Sequence, residues 1–155
     1  MNKLLMAISA RLPMRVINNG ERPYLQRYYL CTLAGWRFYL HRFVGSDADS
    51  LHDHPWRKAY SLVLSGFYWE WTRMSKLPRM VRWFNSLHGD TFHRVELPTT
   101  GAECWTLFMH STPDCKPWGF WREYKNGNAH WEGYDYKREG SQVEWWKTAK
   151  RRGEV

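Results

Sequence analysis

Short apolar and aromatic runs, separated by turn residues, constrain the fold of this chain more than any other feature. Side chains two apart in an extended strand share a face. Tyr60, Leu62 and Leu64 therefore share one face of one run, and Trp69 and Trp71 share one face of the next. The chain contains 11 Trp, 9 Tyr and 7 Phe, residue types that pack well on pleated surfaces. This pattern predicts an all-β sandwich or barrel.

The turn residues divide the chain into a series of strands. The predicted strands are Tyr24–Leu33, Trp36–Phe43, Ala59–Leu64, Phe67–Thr72, Met80–Phe84, Phe92–Leu97, Cys104–His110 and Trp118–Glu123, with a short pair around Trp131 and Tyr134. Ala34-Gly35 and Ser65-Gly66 are predicted hairpin turns. We expect an amphipathic helix at the N-terminus and another over Gln142–Arg151. The sequence contains no repeats or linkers, so residues 1–155 are predicted to form one domain with a core at about 24–135. Either face of the strands could line the interior, because both are rich in aromatic residues.

A histidine pair suggests a metal site. His52 and His54 are two residues apart, so in an extended segment they project side by side. Pro55 holds the residue before it in an extended conformation. His93, in a later predicted strand, is the expected third ligand, and His88 would replace it if the strand register differed. Three protein ligands leave positions open on a divalent metal for water, substrate or oxygen.

The order of these residues resembles the cupin family. The first cupin motif runs from a glycine through an HxH pair to a carboxylate and a turn glycine, and the second places a histidine on a strand after a glycine turn. The matching residues are Gly45, His52, His54 and Gly66 for the first motif, and Gly89 and His93 for the second. The resemblance covers about Trp36 to Phe120. It implies an all-β, cupin-type jelly-roll barrel (a double-stranded β-helix) with short flanking N- and C-terminal helices and a metal held inside.

The sequence departs from the cupin pattern in two places. The usual glutamate ligand would fall near Ala59, where no carboxylate occurs, and Gly89 lies one residue further from His93 than is common. The remaining three neutral histidines resemble the cysteine dioxygenase group of cupins. Glu96 and Asp53 alternate to the opposite side from the histidines, so we expect both to point away from the metal.

The resemblance leads to a functional expectation. We expect an Fe(II)-type oxygenase, with Mn, Ni or Zn as alternative metals, in which a small anionic substrate chelates the ion beside O2. Tyr60 and His110 are the candidate catalytic residues, lining the pocket and transferring protons. One of four arginines would hold the substrate anion: Arg42, Arg57, Arg73 or Arg94. A metal-dependent isomerase or epimerase is an alternative, because fold does not dictate function.

Charge suggests a second class of function. The net charge is +8, from 23 basic and 15 acidic residues. This excess either attracts nucleic acid or simply keeps a Trp-rich chain in solution. The alternative to an enzyme is a non-catalytic module that binds a nucleotide or a single strand by stacking and phosphate contacts. Its candidate surface comprises Trp69, Trp71, Arg73, Arg79, Arg82 and Trp83.

Cysteine use and hydropathy indicate the compartment. Cys31, Cys104 and Cys115 are odd in number and lack CxxC spacing, which favours a reducing cytoplasm over a disulfide framework. No apolar run is long enough to span a membrane, so we expect no membrane partner. A homodimer is expected by analogy with other cupins, which often exchange strands.

Overall fold

β-Strands dominate the structure, a computed structural model that describes residues 2–47, 50–124, 126–135 and 144–154. One helix, α1 (Asn2–Ser9), precedes them. The strands are β1 (Met14–Asn19), β2 (Arg22–Leu33), β3 (Trp36–Phe43), β4 (Leu51–His52), β5 (Lys58–Ser65), β6 (Tyr68–Thr72), β7 (Arg79–Val81), β8 (Phe84–His88), β9 (His93–Glu96), β10 (Cys104–Ser111), β11 (Gly119–Glu123) and β12 (Ala129–Gly133).

The strands form two six-stranded sheets that enclose one core. The first sheet has the order β1-β2-β3-β10-β5-β8, and the second has the order β12-β11-β4-β9-β6-β7. All of the pairings are antiparallel. Leu25 and Val63 of the first sheet pack in one buried cluster with Tyr68 and Val95 of the second. This arrangement confirms the predicted all-β barrel.

Two turns show why glycine occupies the predicted positions. In the β2–β3 hairpin, Ala34 and Gly35 have φ angles of 49° and 77°, both in the left-handed region. Two such residues match the twist of the flanking strands. Gly66, at the end of β5, has a φ of 78°, and a Cβ there would lie 2.3 Å from the Glu103 carbonyl oxygen. The predicted turns at both places are confirmed.

The two ends of the chain pack on the barrel and on each other, since Arg152 Nη1 donates to Ser9 Oγ at 3.2 Å. Helix α1 lies against the outside of the first sheet, where Leu5 contacts a cluster that includes Tyr28 and Trp105. At the other end, the described part of the predicted helix over Gln142–Arg151 begins at 144 and contains a single-turn 3₁₀ helix, Trp145–Lys147. Residues 142 and 143 lie outside the described residues. No helix in the described ranges is both long and apolar enough to span a membrane.

Some strand predictions were wrong. The predicted strand Met80–Phe84 is divided between β7 and β8, which belong to different sheets. The chain crosses between the sheets here, so Val81 is buried while Phe84 is exposed. β1 and β4 were not predicted, and the expected pair around Trp131 and Tyr134 is the single strand β12, paired with β11.

The structure decides which strand faces line the interior. On β5, Ala59 and Ser61 are buried inside, and Tyr60 lies on the opposite face. On β6, Tyr68 and Glu70 are buried, and Trp69 is on the other side. The interior therefore contains polar groups as well as apolar ones.

His110 provides a test of this buried polar layer. Burial lowers the pKa of His110 to about 4. Between pH 6.5 and 4, His110 is therefore protonated in the unfolded chain but not in the folded chain. The free energy of unfolding should fall as the pH falls through this range. The pKa difference corresponds to about 3 kcal/mol, of which about 2 kcal/mol should be lost between pH 7 and 5.

Urea unfolding of the wild type and His110→Gln at both pH values measures this loss. The variant should lose about 2 kcal/mol less than the wild type over this interval, because Gln does not titrate. The matched control, His130→Gln, changes an exposed residue and should follow the wild type. Equal pH dependence in the wild type and His110→Gln would contradict the prediction.

Candidate metal centre

Three histidine side chains meet inside the barrel. One ligand nitrogen from each of His52, His54 and His93 lies within 4.8 Å of the others. The Nε2 atoms of His54 and His93 are 2.9 Å apart. His52 and His93 are buried, and His54 is half-buried. The predicted ligands are therefore brought together as a group that could hold one metal ion.

Strand pairing places these histidines. His52 is the last residue of β4 and lies directly opposite His93, the first residue of β9. His54 follows β4 by two residues, and its backbone N–H donates to the Gly89 carbonyl oxygen at 3.0 Å. Gly89 N–H in turn donates to the Arg57 carbonyl oxygen at 3.0 Å. Gly89 thus holds the backbone of the segment that carries His54 through two hydrogen bonds.

Carboxylates lie behind two of the imidazole rings. His93 Nδ1 is hydrogen-bonded to Glu70 Oε1 at 3.0 Å. His52 Nδ1 lies 3.0 Å from Asp47 Oδ2, within ion-pair distance but without a hydrogen bond. A carboxylate at Nδ1 leaves Nε2 free for a metal and raises the basicity of the ring. Neither carboxylate was predicted. The available signal was Glu70 itself, a lone charge among the aromatic residues of β6.

Glu70 is the centre of a buried network. Its carboxylate accepts hydrogen bonds from Arg79 Nη2 at 2.6 Å and Asn85 Nδ2 at 2.7 Å, besides that of His93. Burial alone would raise the pKa of Glu70, but the hydrogen bonds from His93, Arg79 and Asn85 lower it to about 2. Glu70 is therefore a fixed anion behind His93.

The donor set fits a divalent transition metal. Burial lowers the pKa of His54, with contributions from His52, His93, Arg27 and His110, and burial also lowers that of His93. These two imidazoles are neutral at pH 7, the form in which histidine binds metals. Metal–nitrogen bonds are about 2.0–2.1 Å long. Two nitrogens bound at right angles on one ion would then be about 3 Å apart, as His54 and His93 are.

The remaining predicted residues take different positions. Asp53 points away from the histidines, accepting from Gly119 N–H at 2.7 Å and pairing with Lys116. Glu96 lies on the outer face of β9, where it accepts from Trp71 Nε1. His88 is exposed on β8 and takes no part in the histidine group. These three placements agree with the predictions.

The two candidate catalytic residues lie in different places. His110 is buried and stacks on Trp56, which itself stacks on His54 with ring centroids 4.2 Å apart. Tyr60 is on the outer face of β5, where its ring contacts Trp36 and Phe84. The structure thus separates His110 from His54 by the ring of Trp56 and does not bring Tyr60 to the histidine group. The catalytic role of Tyr60 stays a prediction without a supporting contact.

The four candidate anion-binding arginines lie away from the interior. Arg42 pairs with Glu103, and Arg94 pairs with Glu96 at 3.3 Å. Arg73 stacks on Trp121, and Arg57 is exposed. A fifth arginine, Arg27, does enter the barrel, because it shares the inner face of β2 with Leu25. Its period-two relation to Leu25 was the signal that could have identified it.

Solved structures share this fold at low sequence identity. The DMSP lyase DddQ from Ruegeria pomeroyi DSS-3 matches with a TM-score of 0.57 and 12% identity, over 71% of this chain and 61% of that chain. A cupin-2 domain protein from Rhodospirillum rubrum matches with a TM-score of 0.53 and 13% identity, over 68% and 72%. A provisionally assigned mannose-6-phosphate isomerase from Ralstonia eutropha JMP134 matches with a TM-score of 0.51 and 20% identity, over 60% and 89%. The fold is therefore a cupin-type jelly roll. No protein-family model and no curated protein matches the sequence.

The carboxylates behind the rings should tune metal affinity. Glu70→Gln and Asp47→Asn remove the charge with little change in volume, so metal affinity should fall about 10–100-fold. Competition with a chromophoric chelator measures the affinity. Glu96→Gln, a half-buried carboxylate on the other face of β9, is the control and should bind metal as the wild type does. Wild-type affinity in Glu70→Gln would contradict the orienting role.

Gly89 should tolerate no side chain. A Cβ at this position would lie 2.0 Å from the Trp56 carbonyl oxygen and 3.0 Å from that of His54. We expect Gly89→Ala to displace the His54 segment, to lower metal affinity and to cost about 2–3 kcal/mol of stability.

Gly20→Ala is the control for this substitution. Gly20 has a left-handed φ of 60° but open space around it. Its replacement should cost about 1–2 kcal/mol through the backbone alone and leave metal affinity unchanged. Chemical denaturation and chelator competition test both variants, and equal metal affinities in the two would refute the role of Gly89.

Proposed function

We propose that this protein is a metal-dependent enzyme, an Fe(II)-type oxygenase that acts on a small anionic substrate. His52, His54 and His93 would hold one divalent metal ion. The observation that carries the proposal is the convergence of three imidazoles in the barrel, two of them backed by carboxylates. Burying three imidazoles and two carboxylates together costs folding free energy, and a bound metal ion would compensate for that cost.

The ligand chemistry supports a transition metal. Imidazole nitrogens suit iron, manganese, nickel and zinc better than calcium or magnesium. Three neutral ligands leave the full charge of the ion for an anionic substrate, which is why a three-histidine type similar to the cysteine dioxygenase group is proposed. When bound, Fe(II) supplies Lewis acidity and redox chemistry toward dioxygen.

The residues of the chain supply a dry wall and a proton acceptor. Trp56 and Phe108 are buried beside the histidines and exclude water from this side of the site. His110 is neutral at pH 7, because burial lowers its pKa to about 4. Its Nδ1 lies 2.9 Å from the Ser111 carbonyl oxygen, so Nδ1 carries the proton and Nε2 is left to accept one. We propose that His110 accepts a proton from the substrate.

An isomerase or epimerase is the alternative reaction class. It would use the same three ligands and the same proton acceptor, but it would consume no dioxygen. The provisional isomerase assignment of one structural neighbour is compatible with this alternative, but it favours it no further, since 20% identity establishes the fold alone. Dioxygen consumption separates the two classes.

The non-catalytic alternative would use the outer face of the second sheet. Arg73 lies 3.7 Å above the Trp121 ring, beside a cleft of about 410 Å³. Arg94 and Trp71 line the same cleft, but Glu96 contacts both of them. This carboxylate neutralises part of the charge that phosphates would need, so we favour the enzyme. Steep salt dependence of single-strand binding, unaffected by chelator, would instead support a nucleic-acid module.

Localisation and assembly are also proposed. The three cysteines of the chain are free thiols, as expected in a reducing compartment. We therefore propose a cytoplasmic location. A homodimer is proposed by analogy with other cupins.

Metal analysis is the first test of the function. Protein purified without an affinity tag should contain close to one equivalent of metal, and His52→Ala and His93→Ala should lose it while staying folded. The matched control is His88→Ala, which removes an exposed histidine nearby in the sequence. Elemental analysis gives the content, and circular dichroism confirms the fold.

The metal identity then directs the next assay. Iron would lead to screening of small anions for dioxygen consumption, whereas zinc, manganese or nickel would favour the isomerase. A wild-type protein that takes up no metal even after reconstitution would refute the enzyme and leave the binding module.

A further inference from the structure

Arg27, which is half-buried, carries a positive charge into the barrel, and no carboxylate of the described residues pairs with it. Its Nε donates to His41 Nε2 at 3.0 Å, and its guanidinium lies 5.2 Å from the centre of the Tyr39 ring. None of the ion pairs in the described part of the chain includes Arg27. Burial lowers the pKa of this guanidinium, but an arginine stays charged. A buried charge without a counter-ion opposes folding, and a bound anion would offset that cost.

A second guanidinium adds to the positive potential. Arg37 lies on the same face of β3 as Tyr39 and His41, with its Nε buried and without a hydrogen-bond partner. After burial, the charges of Arg27 and Arg37 contribute to the lowered pKa of His110, which places both within electrostatic range of that ring. The charges of two guanidiniums therefore act at one end of the interior. Arg37 also stacks on Trp146 and acts on the Asp114 carboxyl, so Arg27 is the one left for an anion.

Ring contacts connect this position to the metal centre. His41, the partner of Arg27, stacks on Phe108 with ring centroids 4.6 Å apart. Phe108 contacts Trp56 at 6.0 Å, and Trp56 stacks on His54 at 4.2 Å. The Phe108 and Trp56 rings therefore lie between Arg27 and His54 along one aromatic-walled side of the interior. A single small molecule that extends along these rings would contact both an anion site at Arg27 and a metal at His54.

We propose that Arg27 is the anion-binding, specificity-determining residue of the substrate site. Because Nε is occupied by His41, the two terminal nitrogens form the available fork, and this fork matches the paired oxygens of a carboxylate or a phosphate. The substrate would bind this fork through an oxyanion group and present the rest of the molecule to the metal. The inference deepens the proposed function and rests on it.

Anion-dependent stabilisation tests this assignment. The unfolding temperature of the metal-loaded protein is measured against acetate, succinate and inorganic phosphate, with ionic strength held constant by chloride. The wild type should show a saturable rise with at least one of these anions. Arg27→Gln should weaken the apparent affinity at least 10-fold, and Arg27→Lys, which keeps the charge but not the fork, should weaken it about 10-fold. Arg57→Gln changes an exposed arginine and should match the wild type.

The outcomes are distinct. A carboxylate response without a phosphate response, or the reverse, identifies the group that the site takes. Wild-type anion affinity in Arg27→Gln, or no saturable rise for metal-loaded wild type with any of the three anions, would overturn the assignment. If Arg27→Gln fails to fold, Arg27→Lys decides, and wild-type affinity in that variant overturns the proposal. Arg27-dependent anion binding in a protein that takes up no metal would refute the proposed function and leave the anion site.

Discussion

The pairing of His52 with His93 is the constraint on which the rest of the site depends. β4 is two residues long, yet it joins β11 and β12 to the rest of the second sheet through this single position. A slip of one residue on either strand would turn a ligand out of the barrel, because side chains alternate between faces. The glycine turn at Gly89 and the contact of Asp53 with Gly119 hold the short strand in register from both sides.

The interior contains apolar clusters that stabilise the fold and polar groups that form the candidate site. An apolar cluster that includes Leu25 and Val95 occupies one part of the barrel, and an aromatic cluster that includes Trp56 and Phe108 occupies another. Histidines, Glu70 and Arg27 are inside as well, and buried charges cost folding free energy unless they are paired. Glu70 is paired with Arg79, whereas Arg27 has no carboxylate among the described residues. Glu70 therefore orients a histidine, whereas Arg27 is the residue to which we assign an external anion.

Prediction succeeded where local chemistry was decisive. The start of Trp36–Phe43 was predicted correctly because the strand begins directly after a hairpin whose two turn residues, Ala34 and Gly35, have left-handed backbone. Prediction failed where the bounds of a strand depend on which strand it pairs with. β4 is too short to have a pattern, and the run Met80–Phe84 joins the end of β7 to the start of β8, which only the crossing between sheets divides.

The sequence by itself determined the strand-rich fold and the three histidines, because period-two alternation and the HxH spacing are local properties of the chain. Only the tertiary structure decided which strand faces turn inward. Apolar or aromatic residues occupy both faces of β5 and β6, so burial could not be assigned from hydrophobicity. That decision placed Tyr60 outside and Glu70 and Arg27 inside. The partners of a buried charge come from distant strands, and only closure of the barrel brings them together.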